Sequence, residues 1–214
     1  KKKKIISKRN LAELACFIEI NKLKEPSGKQ DQYISSYGGI KKMEINKKGN
    51  VKVENLKINK KNLILLQNRL LLFFTGYLRK SSKILSNQKQ KTLKNEKKMI
   101  ENLHYIKKLG LMSAKALERN KLDDFGHIMN EHWVKKVERD KKMSNSHINK
   151  IYELAINNGH AIGGKLIGAG GGGFFMFYTK KKNKLIKLLS KHGLKHVDFS
   201  FEFRGSQILT RDVT

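Results

Sequence analysis

The chain has 214 residues, 38% of them hydrophobic and 8% aromatic. That is enough apolar material for one large domain or two small ones, and too much for a disordered chain. No apolar run reaches the roughly 18 residues that a membrane-spanning helix needs, and the single cysteine, Cys16, excludes an internal disulfide and fits a reducing compartment, the cytoplasm. The formal net charge of +29 would suit nucleic acid or an anionic membrane. The cations, however, are nearly all Lys, with seven Arg (Arg9, Arg69, Arg79, Arg119, Arg139, Arg204, Arg211). Nucleic-acid modules lean on Arg for bidentate forks, and no helix-turn-helix, zinc-finger or aromatic RNA-binding pattern occurs. Lys, Asn and Ile share A/T-rich codons and are all plentiful, so coding bias accounts for the charge. Neither a specific nucleic acid nor a membrane is expected as a partner, although the charge can help attract an anionic substrate.

Along the chain, Lys1 to Lys4 carry no following apolar segment of a targeting signal, and the sequence reads as starting inside a protein. Asn10-Leu11-Ala12-Glu13 has the form of a capping box, and Leu11, Leu14, Ala15 and Ile18 repeat at helical spacing, predicting a helix over 10–23 that stops near Pro26. A short helix follows from 30 to 37, ended by Gly38-Gly39. Residues 40–46 and 51–58 alternate like strands around a Lys48-Gly49-Asn50 turn. The apolar runs Leu63 to Leu66 and Leu70 to Phe74 are the length of buried strands, the second closed by Thr75-Gly76. From Arg79 the pattern turns polar and helical, in segments 79–108, 111–120, 123–142 and 145–159. A glycine-rich stretch, 168–173, precedes a strand over 174–178; a helix over 181–192 and a strand over 197–203 complete an α+β chain.

Two segments carry candidate chemistry. In Gly28-Lys29-Gln30-Asp31-Gln32-Tyr33, Asp31 stands in the first turn of a helix, where the helix dipole and Lys29 favour negative charge. Such a carboxylate can orient a hydroxyl and accept its proton; the residues alone leave open a helix start with a stabilising Asp and no more. In Gly163-Gly164-Lys165-Leu166-Ile167-Gly168-Ala169-Gly170-Gly171-Gly172-Gly173-Phe174-Phe175, glycines let backbone amides approach a phosphate or another loop. These glycines follow a helix and precede a strand, and no Gly-Lys-Ser/Thr ending occurs, so the stretch is neither a P-loop nor a dinucleotide fingerprint. Its tight apolar flanks favour a built loop over a linker. Arg79 and Lys29 could reach a phosphate, Arg79 as a fork, or lie solvated. The seven histidines show no metal-ligand spacing, and Cys16 has no His partner nearby in sequence.

Together the two segments resemble signatures of the galactokinase, homoserine kinase, mevalonate kinase and phosphomevalonate kinase (GHMP) superfamily: the Gly-x-x-Asp-Gln segment with the catalytic Asp, and the third family motif, a Lys-Leu-x-Gly-Ala-Gly-Gly-Gly-Gly loop. Leu11 to Cys16, Ile18 to Ile20, Leu23 to Pro26, Leu71 to Arg79, Trp133, Ile148 to Tyr152 and Phe203 to Ser206 bring the chain nearest to D-glycero-D-manno-heptose 7-phosphate kinases. The resemblance implies a two-lobed α+β kinase fold, with 1–78 the remainder of an incomplete N-terminal lobe and 79–214 a C-terminal lobe of ferredoxin-like α/β sandwich form. It also implies transfer of the ATP γ-phosphate to the anomeric hydroxyl of the heptose phosphate, with ATP and Mg²⁺ as cofactors and a sugar phosphate as partner. In that reading Asp31 is catalytic, while Gly168, Ala169, Gly170, Gly171, Gly172, Gly173, Lys29 and Arg79 bind substrate or phosphate; the metal ligands are not assigned. Two family motifs, including the ATP phosphate loop, would lie upstream of Lys1, so residues 1–214 alone are expected to show no turnover. Another sugar-1-kinase, of fucose or galactose type, and a basic nucleic-acid-binding protein are the alternatives.

Overall fold

Ser7, in extended backbone, accepts a hydrogen bond from the Asn10 amide at 3.2 Å and so starts α1 (Lys8–Cys16). In this computed structural model, which describes residues 6–76, 82–94, 96–140, 143–168 and 171–207, the cap is therefore Ser7. Asn10, the cap expected from sequence, lies within the first turn of the helix. The helix continues as a π-helical stretch over Phe17–Lys22 and ends before Lys24, whose φ is 59°. α2 (Gln30–Tyr37) stops at Gly38, φ 70°. A side chain there would be strained, and its Cβ would also run into the Gly205 backbone. The Phe203-Arg204-Gly205-Ser206 segment is thus docked on the end of α2. The Gly39 amide donates to the Glu202 carbonyl at 2.6 Å and the Ser206 amide to Ser36 at 3.3 Å. β1 (Lys41–Ile45) and β2 (Val51–Asn55) form the expected antiparallel hairpin, turning at Gly49 with φ 78°. These elements share a small core of Ala12, Cys16, Tyr33 and Val51, and residues up to 56 together with those from 201 form one compact unit.

Residues 57–200 form the second unit. Asn59 caps α3 (Lys60–Arg69), accepting from the Asn62 amide at 2.8 Å. The Leu63 to Leu66 run, read as a strand, is helical here: Leu66 is buried while Ile64 is exposed, and the cap favours the helix. α3 passes straight into β3 (Leu70–Phe74). Four helices follow, α4 (Ser82–Leu93), α5 (Lys97–Glu118), α6 (Leu122–Arg139) and α7 (Ser146–Asn157), then β4 (Ala161–Leu166), β5 (Phe174–Thr179), α8 (Lys182–Lys191) and β6 (Lys195–Val197). α5 runs through Gly110, where the sequence suggested a break. β6 ends at Val197, short of the strand expected to 203.

The sheet order is β4-β5-β3-β6, with every neighbouring pair antiparallel. With its helices this is the split βαβ arrangement of a ferredoxin-like sandwich. One sheet face presents Leu71, Phe73, Phe175 and Phe177 to Trp133 of α6, Ile148, Ile151 and Ala155 of α7, and Leu185 and Leu189 of α8. Pairing of β3 with β5 and β6 places residues 70–74 in the middle of this sheet, so the division falls at 56/57 where sequence placed it at 78/79. β4, which the sequence reading left as loop, is a strand because Gly163 and Gly164 serve packing: a Cβ on Gly163 would strike the Gly126 carbonyl of α6, and one on Gly164 the Phe177 ring.

Candidate functional site

The first candidate segment starts α2, and three of its side chains bind that helix to α1 and its π-helical extension. Lys29 Nζ reaches the Glu13 carboxylate at 2.9 and 3.2 Å, and the Tyr33 hydroxyl donates to the same group. Gln32 Nε2 donates to Glu19 Oε2 at 2.5 Å. The Tyr33 hydrogen bond, then Lys29, holds the Glu13 carboxyl below its ordinary range. Burial, reinforced by Glu13, pushes the Tyr33 phenol up. Lys29 is thereby engaged by Glu13, where the sequence had paired it with Asp31. Asp31 itself is exposed in the first turn of α2 and has no hydrogen bond or ion pair among the described residues. Of the ionisable side chains at this helix start, it is the one left available to a ligand. The glutamates were missed because their partners lie 13 to 20 positions away, across the turn around Pro26. Burial raises the Cys16 thiol, which makes it an inert core group.

The second segment lies in the other unit, and the structure makes it a loop between β4 and β5. Gly168 and Gly171 to Gly173 are described; Ala169, Gly170 and Arg79 lie outside the described residues. The loop is clamped at four places. The Ile167 amide donates to Phe174 at 2.8 Å and the Gly171 amide to the Met143 carbonyl at 2.9 Å. Thr75, closing β3, receives the Gly173 amide on its hydroxyl at 3.0 Å and donates its own amide back to the Gly173 carbonyl at 2.9 Å. Lys136 of α6 donates to the carbonyls of Gly168 at 2.5 Å and Leu166 at 3.3 Å. Gly168, Gly171 and Gly173 have φ of 79°, 81° and 103°, backbone that L side chains resist. A loop so anchored is not a linker. The amides of Gly171 and Gly173 are taken up internally, so it offers fewer free donors than its glycine content suggests.

Around the clamp stand His132, Lys136 and Arg139, spaced four and three apart on α6, with Lys165 of β4. Burial, then the charges of Lys165 and Arg139, lowers Lys136 to about 7. Burial, then Lys165, Lys136 and Arg139, lowers His132 to about 3. Burial also lowers Lys165 and Arg139, with Asp140 acting on Arg139 in the opposite sense. Lys165 opens the glycine motif, whereas no sequence signal marks Lys136 in a chain so rich in lysine. A pH dependence follows. Between pH 7 and the ordinary lysine range the unfolded chain holds the Lys136 proton and the folded chain does not, so this group's contribution to stability rises with pH. Relative to Lys136→Met, the wild type should gain on the order of 2 kcal/mol from pH 7 to pH 9, read by urea denaturation; parallel curves would mean that Lys136 is solvated.

Mg²⁺ takes oxygen ligands, commonly one or two carboxylates with substrate phosphates. Among the described residues no group of three or more His, Cys, Asp or Glu converges, so these residues do not make a metal cage. No helix among the described residues is long and apolar enough to cross a membrane.

Residues 113–195 match the family model for the GHMP kinases C terminal domain. The chain is 35% identical over 198 residues, 91% of its length, to the D-glycero-alpha-D-manno-heptose 7-phosphate kinase of Campylobacter jejuni, of which it spans 57%. It is 30% identical over 123 residues to the bifunctional fucokinase/GDP-fucose pyrophosphorylase of Arabidopsis thaliana, 58% of this chain and 12% of that protein. The crystal structure of a D-glycero-D-manno-heptose 1-phosphate kinase from Bacteroides thetaiotaomicron superposes with a TM-score of 0.70 at 25% identity, covering 96% of this chain and 57% of that one. The crystal structure of L. major mevalonate kinase shares the fold, with a TM-score of 0.66 at 16% identity over 95% of this chain and 60% of that one. The α+β fold is that of the solved GHMP kinases, the named relatives are kinases, and the glycine loop lies within residues 113–195, the stretch that matches the GHMP kinases C terminal model.

Proposed function

We propose that the protein carrying this chain is a sugar kinase that transfers the γ-phosphate of ATP to the anomeric hydroxyl of D-glycero-D-manno-heptose 7-phosphate. What carries the reading is the 35% identity across 91% of the chain to a kinase of that name, joined to an Asp31 left unengaged at the start of α2. Phosphoryl transfer rests on positioning and on neutralising charge more than on covalent chemistry. Asp31 orients the sugar hydroxyl and accepts its proton as the oxygen attacks phosphorus. The clamped loop, Gly168 to Gly173, presents its remaining amides and a fixed edge to the phosphate region, and Arg79 adds a fork for a phosphate. Lys29 acts through Glu13, fixing the helix start that carries Asp31.

Similarity to a fucokinase over 123 residues favours a second reading, a sugar-1-kinase for an unphosphorylated hexose. A panel of heptose 7-phosphate, L-fucose, D-galactose and D-mannose, assayed with the full-length protein by ADP release, separates the two. The heptose phosphate should exceed each free sugar in kcat/KM by at least about 10², because a site that pairs with a substrate group discriminates strongly against its absence. A preference for fucose would replace the first reading with the second, and no turnover on any sugar would remove both.

A further inference from the structure

We propose that Lys136, Arg139 and Lys165, gathered where β4 runs into the glycine loop, form a receptor for a phosphate monoester. Three basic side chains stand together there, and the charge arrangement is lopsided. Lys165 and Arg139 both act on Lys136 as like charges, and among the described residues the carboxylate that bears on the group, Asp140, acts on Arg139 and is itself held by Asn87 Nδ2 at 2.7 Å. Lys136 is 6% exposed, and Lys165 has no hydrogen bond or ion pair among the described residues. Arg139 Nε is buried with no acceptor, although its Nη2 lies 3.7 Å from the Met143 sulfur. Buried charges and donors of this kind cost stability unless a partner arrives. Like charges held together unpaired are disfavoured in a structural role, where an apolar side chain of the same length would serve better.

The place is open on the side that matters. Gly168 and Ile167 are exposed and Lys165 is partly exposed, while Lys136 is buried behind them. An anion entering over Gly168 would reach the Lys136 amine, which already lies against the Gly168 carbonyl, with Lys165 near enough to act on it. Met143 ties Arg139 to the same loop, since its carbonyl holds the Gly171 amide. Phosphate suits the site through its charge and its several acceptor oxygens, which match ammonium donors and a guanidinium fork. The receptor stands on the geometry of residues 57–200 alone. The kinase reading adds only the identity of its occupant, either the non-transferred phosphate of the sugar or a phosphate of the nucleotide.

Binding to the full-length protein by titration calorimetry at pH 7 tests the receptor, with inorganic phosphate, heptose 7-phosphate and ADP as separate probes at fixed ionic strength. Lys165→Met should weaken inorganic phosphate about tenfold, the scale of one lost charge-assisted hydrogen bond, while leaving the thermal midpoint unchanged or raised because a repulsive charge is gone. Lys165→Arg should retain most of the binding. Weakening of heptose 7-phosphate with ADP unchanged assigns the receptor to the sugar phosphate, and the converse assigns it to the nucleotide. Phosphate binding that persists in a protein without kinase turnover would leave the receptor standing and remove the kinase reading. Equal affinity of wild type and Lys165→Met for all three probes, or a destabilised Lys165→Met with unchanged affinity, would overturn the proposal and leave Lys165 a structural residue.

Discussion

Gly163→Ala is expected to destabilise residues 57–200 by about 3 kcal/mol or more, the upper range for a single substitution that forces overpacking. The added methyl would enter the Gly126 carbonyl of α6 and come within 2.9 Å of the Asn130 nitrogen. Both are backbone atoms, which cannot rotate aside, so relief requires α6 to move off β4. That helix also carries Trp133, packed edge-on against Phe175 at 5.6 Å, and Lys136, which holds the end of the glycine loop. The damage would therefore reach both the core and the clamp. Gly110→Ala gives the contrast. Gly110 lies inside α5 with open space where its Cβ would be, and alanine there should add about 0.5–1 kcal/mol through helix propensity. Urea denaturation of the two variants at one pH separates the roles. A Gly163→Ala protein that unfolds with the wild type would mean that β4 and α6 do not approach as described.

These two glycines also show where the sequence stops being legible. Glycine carries one signal, freedom of backbone, for three different uses. At Gly38 and Gly49 it marked a helix end and a hairpin turn, and positive φ bears this out. At Gly110 the same signal suggested a break in what is a continuous helix. At Gly163 and Gly164 it merged a strand into the loop that follows, because the cause is close approach of another element, which one sequence does not display. The Leu63 to Leu66 run was ambiguous for a related reason: four apolar residues fit a strand or a helix turn, and the deciding feature was the cap at Asn59. β3, α2, α7, α8 and the hairpin were legible because local pattern and tertiary role agree there. In the candidate site, Asp31 and the glycine loop were visible as motifs. The roles of Glu13 and Lys136 were not, since their meaning lies in burial and in partners far along the chain.

Asp31→Asn in the full-length protein is expected to lower kcat by roughly 10²–10⁴, the usual cost of losing a general base, with KM little changed because the interaction strengthens in the transition state. The substitution keeps the shape of the side chain and removes its capacity to take a proton. Its structural cost should be small: Asp31 is exposed and makes no hydrogen bond or ion pair among the described residues, so what is lost is a helix-dipole contribution of about 0.3–1 kcal/mol. Glu25, exposed nearby and outside the motif, is the control, and Glu25→Gln should leave kcat near the wild-type value. Lys29→Met should behave differently again, lowering stability modestly by freeing Glu13 while sparing most of kcat. Single-turnover phosphorylation of heptose 7-phosphate by wild type and Asp31→Asn, each checked by thermal melt, measures the central claim directly. A folded Asp31→Asn protein slower by at least about 10² supports the kinase account and its base; one that keeps more than about a tenth of the wild-type rate, against that general-base range, would contradict it.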